Sequence, residues 1–88
     1  MIRFEVGAAY YVETYGKNFV ARVAAVTPTE VVLADAAWVA DTGRFHEFLR
    51  DGRTESMEIE PLPDGWSIPL AYVSGTLPWP HPLFRDPV

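Results

Sequence analysis

Three Val- and Tyr-rich segments separated by two turn signals constrain this chain more than any other feature. Phe4 to Thr14 is dense in valine and tyrosine, side chains that suit a pleated, half-buried strand. Tyr15-Gly16-Lys17-Asn18 breaks it with a tight hairpin turn, and Phe19 to Val26 follows as a second strand. Within that strand Phe19, Ala21, Val23 and Ala25 share one face, and Val20, Arg22, Ala24 and Val26 the other. Both faces are mostly apolar, the pattern of a bent strand in a small closed barrel. Thr27-Pro28-Thr29-Glu30 turns the chain again, with Pro28 suited to the second turn position. Val31 to Ala34 is then a third strand, antiparallel to the second.

Beyond this point the period changes. Phe45, Phe48 and Leu49 fall at i, i+3 and i+4, the apolar stripe of one short helix over about 42–51. Asp41 or Thr42 is placed to cap its start, and Gly52 stands where a C′ glycine belongs. Glu55 to Glu60 alternates charge with Met57 and Ile59 and reads as an edge strand. After the loop Pro61 to Gly65, Ser67 to Leu77 supplies a last strand with Gly75 as a bulge. The closing LPWPHPLFRDPV carries prolines at 78, 80, 82 and 87, which rule out a helix or a central strand and favour extended polyproline-II geometry. The expected fold is mainly β: a small antiparallel barrel of about five strands, with one inserted helix and a proline-rich tail.

Size sets the domain count. The 88 residues suffice for one domain, expected over 1–77, with 78–88 as a tail packing on the barrel or on a neighbouring subunit. A core of this size is marginal, and the absence of cysteine removes the disulfide staple. Self-association is the remaining way to bury three tryptophans, four tyrosines and five phenylalanines. A homo-oligomer is therefore expected, with Trp79, Leu83 and Phe84 reaching the neighbour. Glu5 interrupts the N-terminal apolar stretch, so a signal peptide is not expected, and no segment is long enough for a transmembrane helix. The expected setting is cytoplasmic.

Charge narrows the function. Residues 28–64 carry nine acids against Arg44, Arg50 and Arg53, while the flanking segments are near balance. No basic run exists to track a phosphate backbone, so general nucleic-acid binding is disfavoured. Ser56, Ser67 and Ser74 lack a nucleophile-elbow context, and Glu55, Glu58 and Glu60 read as a solvated edge. With no catalytic constellation the chain is not expected to be an enzyme. His46 and His81 are the two histidines, too few for a zinc site, so neither metal nor cofactor is expected. His81, between Pro80 and Pro82, is expected to bond a carbonyl as the tail packs down, a ligand contact being the other reading.

Two resemblances add to this. Residues 10–36, YYVETYGKNFVARVAAVTPTEVVLADA, resemble the first half of an Sm-like barrel: strand, glycine turn, long bent strand, and a strand closing on an acidic residue, here Asp35. SH3-like barrels share much of the pattern. The chain departs from the Sm pattern by an insertion at 37–66 and by lacking basic nucleotide-binding positions, so the resemblance leaves ring assembly open and does not carry RNA binding over. The stretch DAAWVADTGRF, with WPHPL near the end, is similar to an uncharacterised family of small bacteriophage and bacterial proteins; that resemblance implies a genomic setting and no chemistry.

The candidate site is Asp41-Thr42-Gly43-Arg44. A helix N-terminus there would offer free N–H groups, Gly43 close approach, Thr42 a hydroxyl, and Arg44 a two-pronged grip on phosphate or carboxylate, with Trp38 as a stacking face. The competing reading is that Asp41 caps the helix and pairs with Arg44, leaving no anion site. Two functions follow: a non-enzymatic oligomeric protein capturing a small anion such as a nucleotide, or an interaction or assembly module without a small-molecule ligand.

Overall fold

The computed structural model describes residues 3–88; Met1 and Ile2, where the expected domain begins, lie outside the described residues. Among the described residues there are six antiparallel strands, one helix and a 3-10 turn. They are β1 (Ala9–Thr14), β2 (Asn18–Val26), β3 (Glu30–Asp41), β4 (Glu58–Pro61), β5 (Ser67–Pro69) and β6 (Val73–Pro78), with α1 (Phe45–Asp51) between β3 and β4. The sheet runs β4-β3-β2-β1-β6, and β5 pairs with the same outer edge of β3 as β4, nearer its start. Among the described residues no ladder joins β6 to β4 or β5, so the sheet is not closed into the barrel expected. The sixth strand arises because Ser67 to Leu77 is not continuous. Leu70–Tyr72 forms the 3-10 turn, entered just after the Leu70 N–H bonds the Thr29 carbonyl at 2.9 Å in the β3–β5 register.

β3 extends to Asp41, well past the expected Ala34, and a bulge is what keeps it useful. Arg22 pairs with Ala34 and Val20 with Ala37, so Asp35 and Ala36 together oppose Ala21. Asp35 adopts φ 50, the left-handed conformation of a bulge residue. The slip exchanges odd for even positions: Val31 and Leu33 before it join the same core as Ala36 after it, while Ala37 and Val39 face the opposite way. Further register shifts fall at Ala24 in β2, at Ala40 in β3 and at Ser74 in β6, the last one residue before the expected Gly75.

The sheet therefore has two cores. Val12, Phe19, Ala21, Val23, Val31, Leu33, Ile68 and Val73 fill one face. On the other, Phe48 of α1 sits fully buried against Tyr11, Val20, Val39 and Ile59. Seven helical residues cannot hold themselves, and Phe48 provides the anchor. Gly52 ends the helix at φ 74 with its N–H on the Phe48 carbonyl, as its position in the sequence requires.

The tail completes this second core. Trp79 and Phe84 are 5% and 8% exposed, packed on Phe48 at ring-centroid distances of 5.1 and 6.2 Å. Leu83 packs against the same cluster. The residues expected to reach a neighbouring subunit are thus taken up by their own chain, because α1 and the sheet leave an apolar face that ten following residues can cover. His81 Nε2 lies 2.8 Å from the Leu49 carbonyl, and Ile59 and Val88 exchange both backbone hydrogen bonds at 2.9 and 3.0 Å. The outer edge of β4 is closed by that exchange.

Candidate binding cleft

The turn 41–44 is built as a local structure. Asp41 Oδ1 accepts the Gly43 N–H at 2.7 Å, and the Thr42 carbonyl accepts from Thr54 Oγ1 at 2.6 Å. Gly43 has φ 67, and a β-carbon there would meet Ser56 Oγ at 2.6 Å and Thr54 Oγ1 closer still, so only glycine fits. The helix begins at Phe45 with Arg44 in the N-cap position and no side-chain cap, which corrects the expectation that Asp41 or Thr42 caps it. Asp41 spends its carboxylate on the turn. Arg44 is exposed, and the ion pairs among the described residues are Arg22–Asp35, Arg85–Asp35 and Arg50–Asp51, so the expected Asp41–Arg44 pair does not form.

Trp38 does not join that turn. It packs with the Val12–Phe19 core, whereas Phe45 leans on Tyr11 across the sheet at 5.6 Å between ring centroids. Alternation along β3 separates them: Trp38 points to one face, and α1 covers the other. The structure thus keeps Asp41, Thr42, Gly43 and Arg44 together and places Trp38 elsewhere.

What lies near Trp38 is a different feature. The β1–β2 hairpin tip is fixed by the Thr14 N–H on the Lys17 carbonyl and the Lys17 N–H on Thr14 Oγ1, both at 3.0 Å. This tight turn pushes Tyr15 outward, 80% exposed. Facing it are Trp66, 42% exposed on the loop before β5, and Tyr72, 59% exposed on the 3-10 turn. Between them runs a cleft of about 460 Å³, floored by Phe19, Ile68 and Pro69. Trp66 lies over Phe19 with centroids 6.1 Å apart. Lys17 is the one charged side chain lining it. Its Nζ sits 4.3 Å from the centroid of the Trp38 ring, beside a smaller hollow of about 50 Å³ shared by Phe19, Trp38, Leu62 and Trp66.

Sequence reasoning passed over this cleft. Its signals were present: a tyrosine inside a turn at Tyr15-Gly16, and a tryptophan directly after a loop glycine at Gly65-Trp66. Aromatics in turns are not buried by strand alternation, and here the fold brings both to one cleft. Among the described residues no helix is long and apolar enough to cross a membrane.

Compared with protein-family models, curated proteins and solved structures, the chain shows no significant match to any. The resemblances of residues 10–36 and of DAAWVADTGRF find no support in these comparisons.

Proposed function

We propose that this protein is a non-catalytic interaction module that receives an extended, proline-containing segment of a partner protein. The observation that carries this reading is the convergence of Tyr15, Trp66 and Tyr72, all exposed, on one cleft with an apolar floor. Aromatic side chains held apart by a rigid scaffold form grooves into which a polyproline-II strand fits, since that strand is already extended and loses little entropy on docking. The cleft lies between the β1–β2 hairpin tip and the 3-10 turn before the last strand, both held in place by strand pairing. Capture of a small anion such as a nucleotide has weaker support. Lys17, the cation of the cleft, already lies over Trp38, and Arg44 stands apart on a helix of seven residues.

The test is titration of the protein with a ten-residue polyproline peptide, followed by tryptophan fluorescence and by amide resonances. Saturable shifts at Tyr15, Trp66 and Tyr72 are expected, lost in Trp66→Ala and unchanged in Arg44→Ala. Unshifted cleft resonances at millimolar peptide would refute the reading.

A further inference from the structure

Among the described residues β6 pairs with β1 alone, and no backbone hydrogen bond reaches its outer side. The Trp79 N–H donates to the Ala9 carbonyl at 3.0 Å, so Trp79 faces β1. Alternation turns Leu77 and Gly75 towards β1 as well and points the Thr76 N–H and carbonyl outward. β1 agrees: Ala8 and Thr14 bond to β2, which leaves its odd positions for β6. Pro78 has no N–H to offer, so Thr76 is the centre of a short open edge. Elsewhere the edges are taken or minimal. Ile59 of β4 exchanges both backbone bonds with Val88, and β5 is three residues ending in Pro69. Head-to-tail assembly needs two free edges, so β6 suits a closed pair of copies instead.

The side chains along this edge are self-complementary. Gly75 leaves a groove of about 210 Å³ on the α1 side of β6, walled by Tyr11, Glu13, Phe45 and Leu77. A β-carbon on Gly75 would meet nothing nearer than Glu13 Oε1 at 3.8 Å, so the single chain does not require glycine there. Leu77 and Phe45 stand beside the groove, 46% and 45% exposed. We propose that two copies pair antiparallel through β6 about a twofold axis at Thr76, continuing the sheet from one molecule into the other. In that register the two Thr76 residues exchange both backbone hydrogen bonds, and Leu77 of each copy lies opposite Gly75 of the other. The leucine fills the space that glycine leaves. Leu77 is paired with Tyr11 and Gly75 with Glu13 inside each copy, so every row across the pair reads Glu13, Gly75, Leu77, Tyr11 and brings no like charges together. So short an edge makes a reversible pair.

The experiment is sedimentation equilibrium of the full chain from micromolar to millimolar concentration, with amide hydrogen exchange at both ends of that range. A monomer–dimer equilibrium is expected, and the Thr76 N–H should exchange more slowly as the dimer fills. Thr76→Pro removes that outward donor without touching a β1–β6 bond, so the variant should fold and stay monomeric. Gly75→Val fills the seat of the incoming leucine and should weaken the dimer by at least about tenfold, the effect of overpacking one contact. Circular dichroism and melting temperatures check that both variants fold, and Gly75→Val carries the test where Thr76→Pro does not. A monomer at millimolar concentration overturns the pairing and leaves the edge to a strand of another protein. Assemblies larger than a dimer, a dimer with unchanged Thr76 exchange, or a dimer of wild-type strength in Gly75→Val overturn it equally. No peptide enters the measurement, so its outcome is independent of the cleft.

Discussion

Arg85 Nη1 lies 2.7 Å from Oδ1 of Asp35, joining the tail to the bulge in the middle of β3. The other oxygen of the same carboxylate takes Arg22 Nε at 3.2 Å, and the Asp35 N–H is held by Asp64 Oδ1 at 3.0 Å. One residue in a left-handed conformation thus ties together β2, β3, the β4–β5 loop and the tail. All three side chains retain solvent contact, so the pairs are worth little individually.

That arrangement separates charge from conformation. Arg85→Ala should cost no more than about 0.5 kcal/mol, and Asp35→Asn about 1 kcal/mol, because asparagine tolerates positive φ but loses both ion pairs. Asp35→Ala should cost a further ~1–2 kcal/mol from the strained backbone. Urea unfolding at low and high salt reads the difference: salt should shrink the Asn effect and leave the additional Ala effect in place.

The tail should behave as core. Phe84→Ala removes a buried ring stacked on Phe48 with planes 10° apart, and a loss of about 3 kcal/mol is expected. Denaturant unfolding measures it. An exposed or neighbour-directed tail would instead give a change within about 0.5 kcal/mol for the isolated chain.

Gly52 carries two constraints. Its φ of 74 disfavours any side chain, and a β-carbon would lie 2.5 Å from the His81 ring. Gly52→Ala should therefore cost more than the ~1 kcal/mol of backbone strain alone. Combining it with His81→Gly, which removes the His81 β-carbon at 2.6 Å together with the ring, relieves the clash, so the double mutant should be less destabilised than the sum of the two singles, a coupling visible in a thermal-melt cycle.

Tyr11 predicts an alkaline limit. Burial first, and the Glu13 charge second, push its hydroxyl from 10.0 to about 12. The unfolded chain releases this proton earlier than the folded one, so the contribution is complete below pH 10 and is lost as pH rises towards 12. Melting temperatures from pH 9 to pH 11.5 should fall in wild type, and the fall should be shallower in Tyr11→Phe.

The sequence by itself determined the elements whose signals are local. Tyr15-Gly16-Lys17-Asn18 and Thr27-Pro28-Thr29-Glu30 mark turns by their own backbone preferences, Gly52 ends a helix by its freedom at positive φ, and Phe48 lies on a stripe only a helix makes. Only the tertiary structure decided what those elements meet. The length of β3 depends on the bulge at Asp35, whose conformation is held by Arg22, Asp64 and Arg85, partners distant in the chain. The direction of Trp79 and Phe84 depends on an apolar face assembled from α1 and four strands, which local pattern does not reveal. Trp38 and Phe45 are seven residues apart in sequence, and strand alternation followed by a turn put them on opposite faces of the sheet. Tyr15, Trp66 and Tyr72 are spread along the chain, and the pairing of β2 with β3 and of β3 with β5 is what closes them around one cleft.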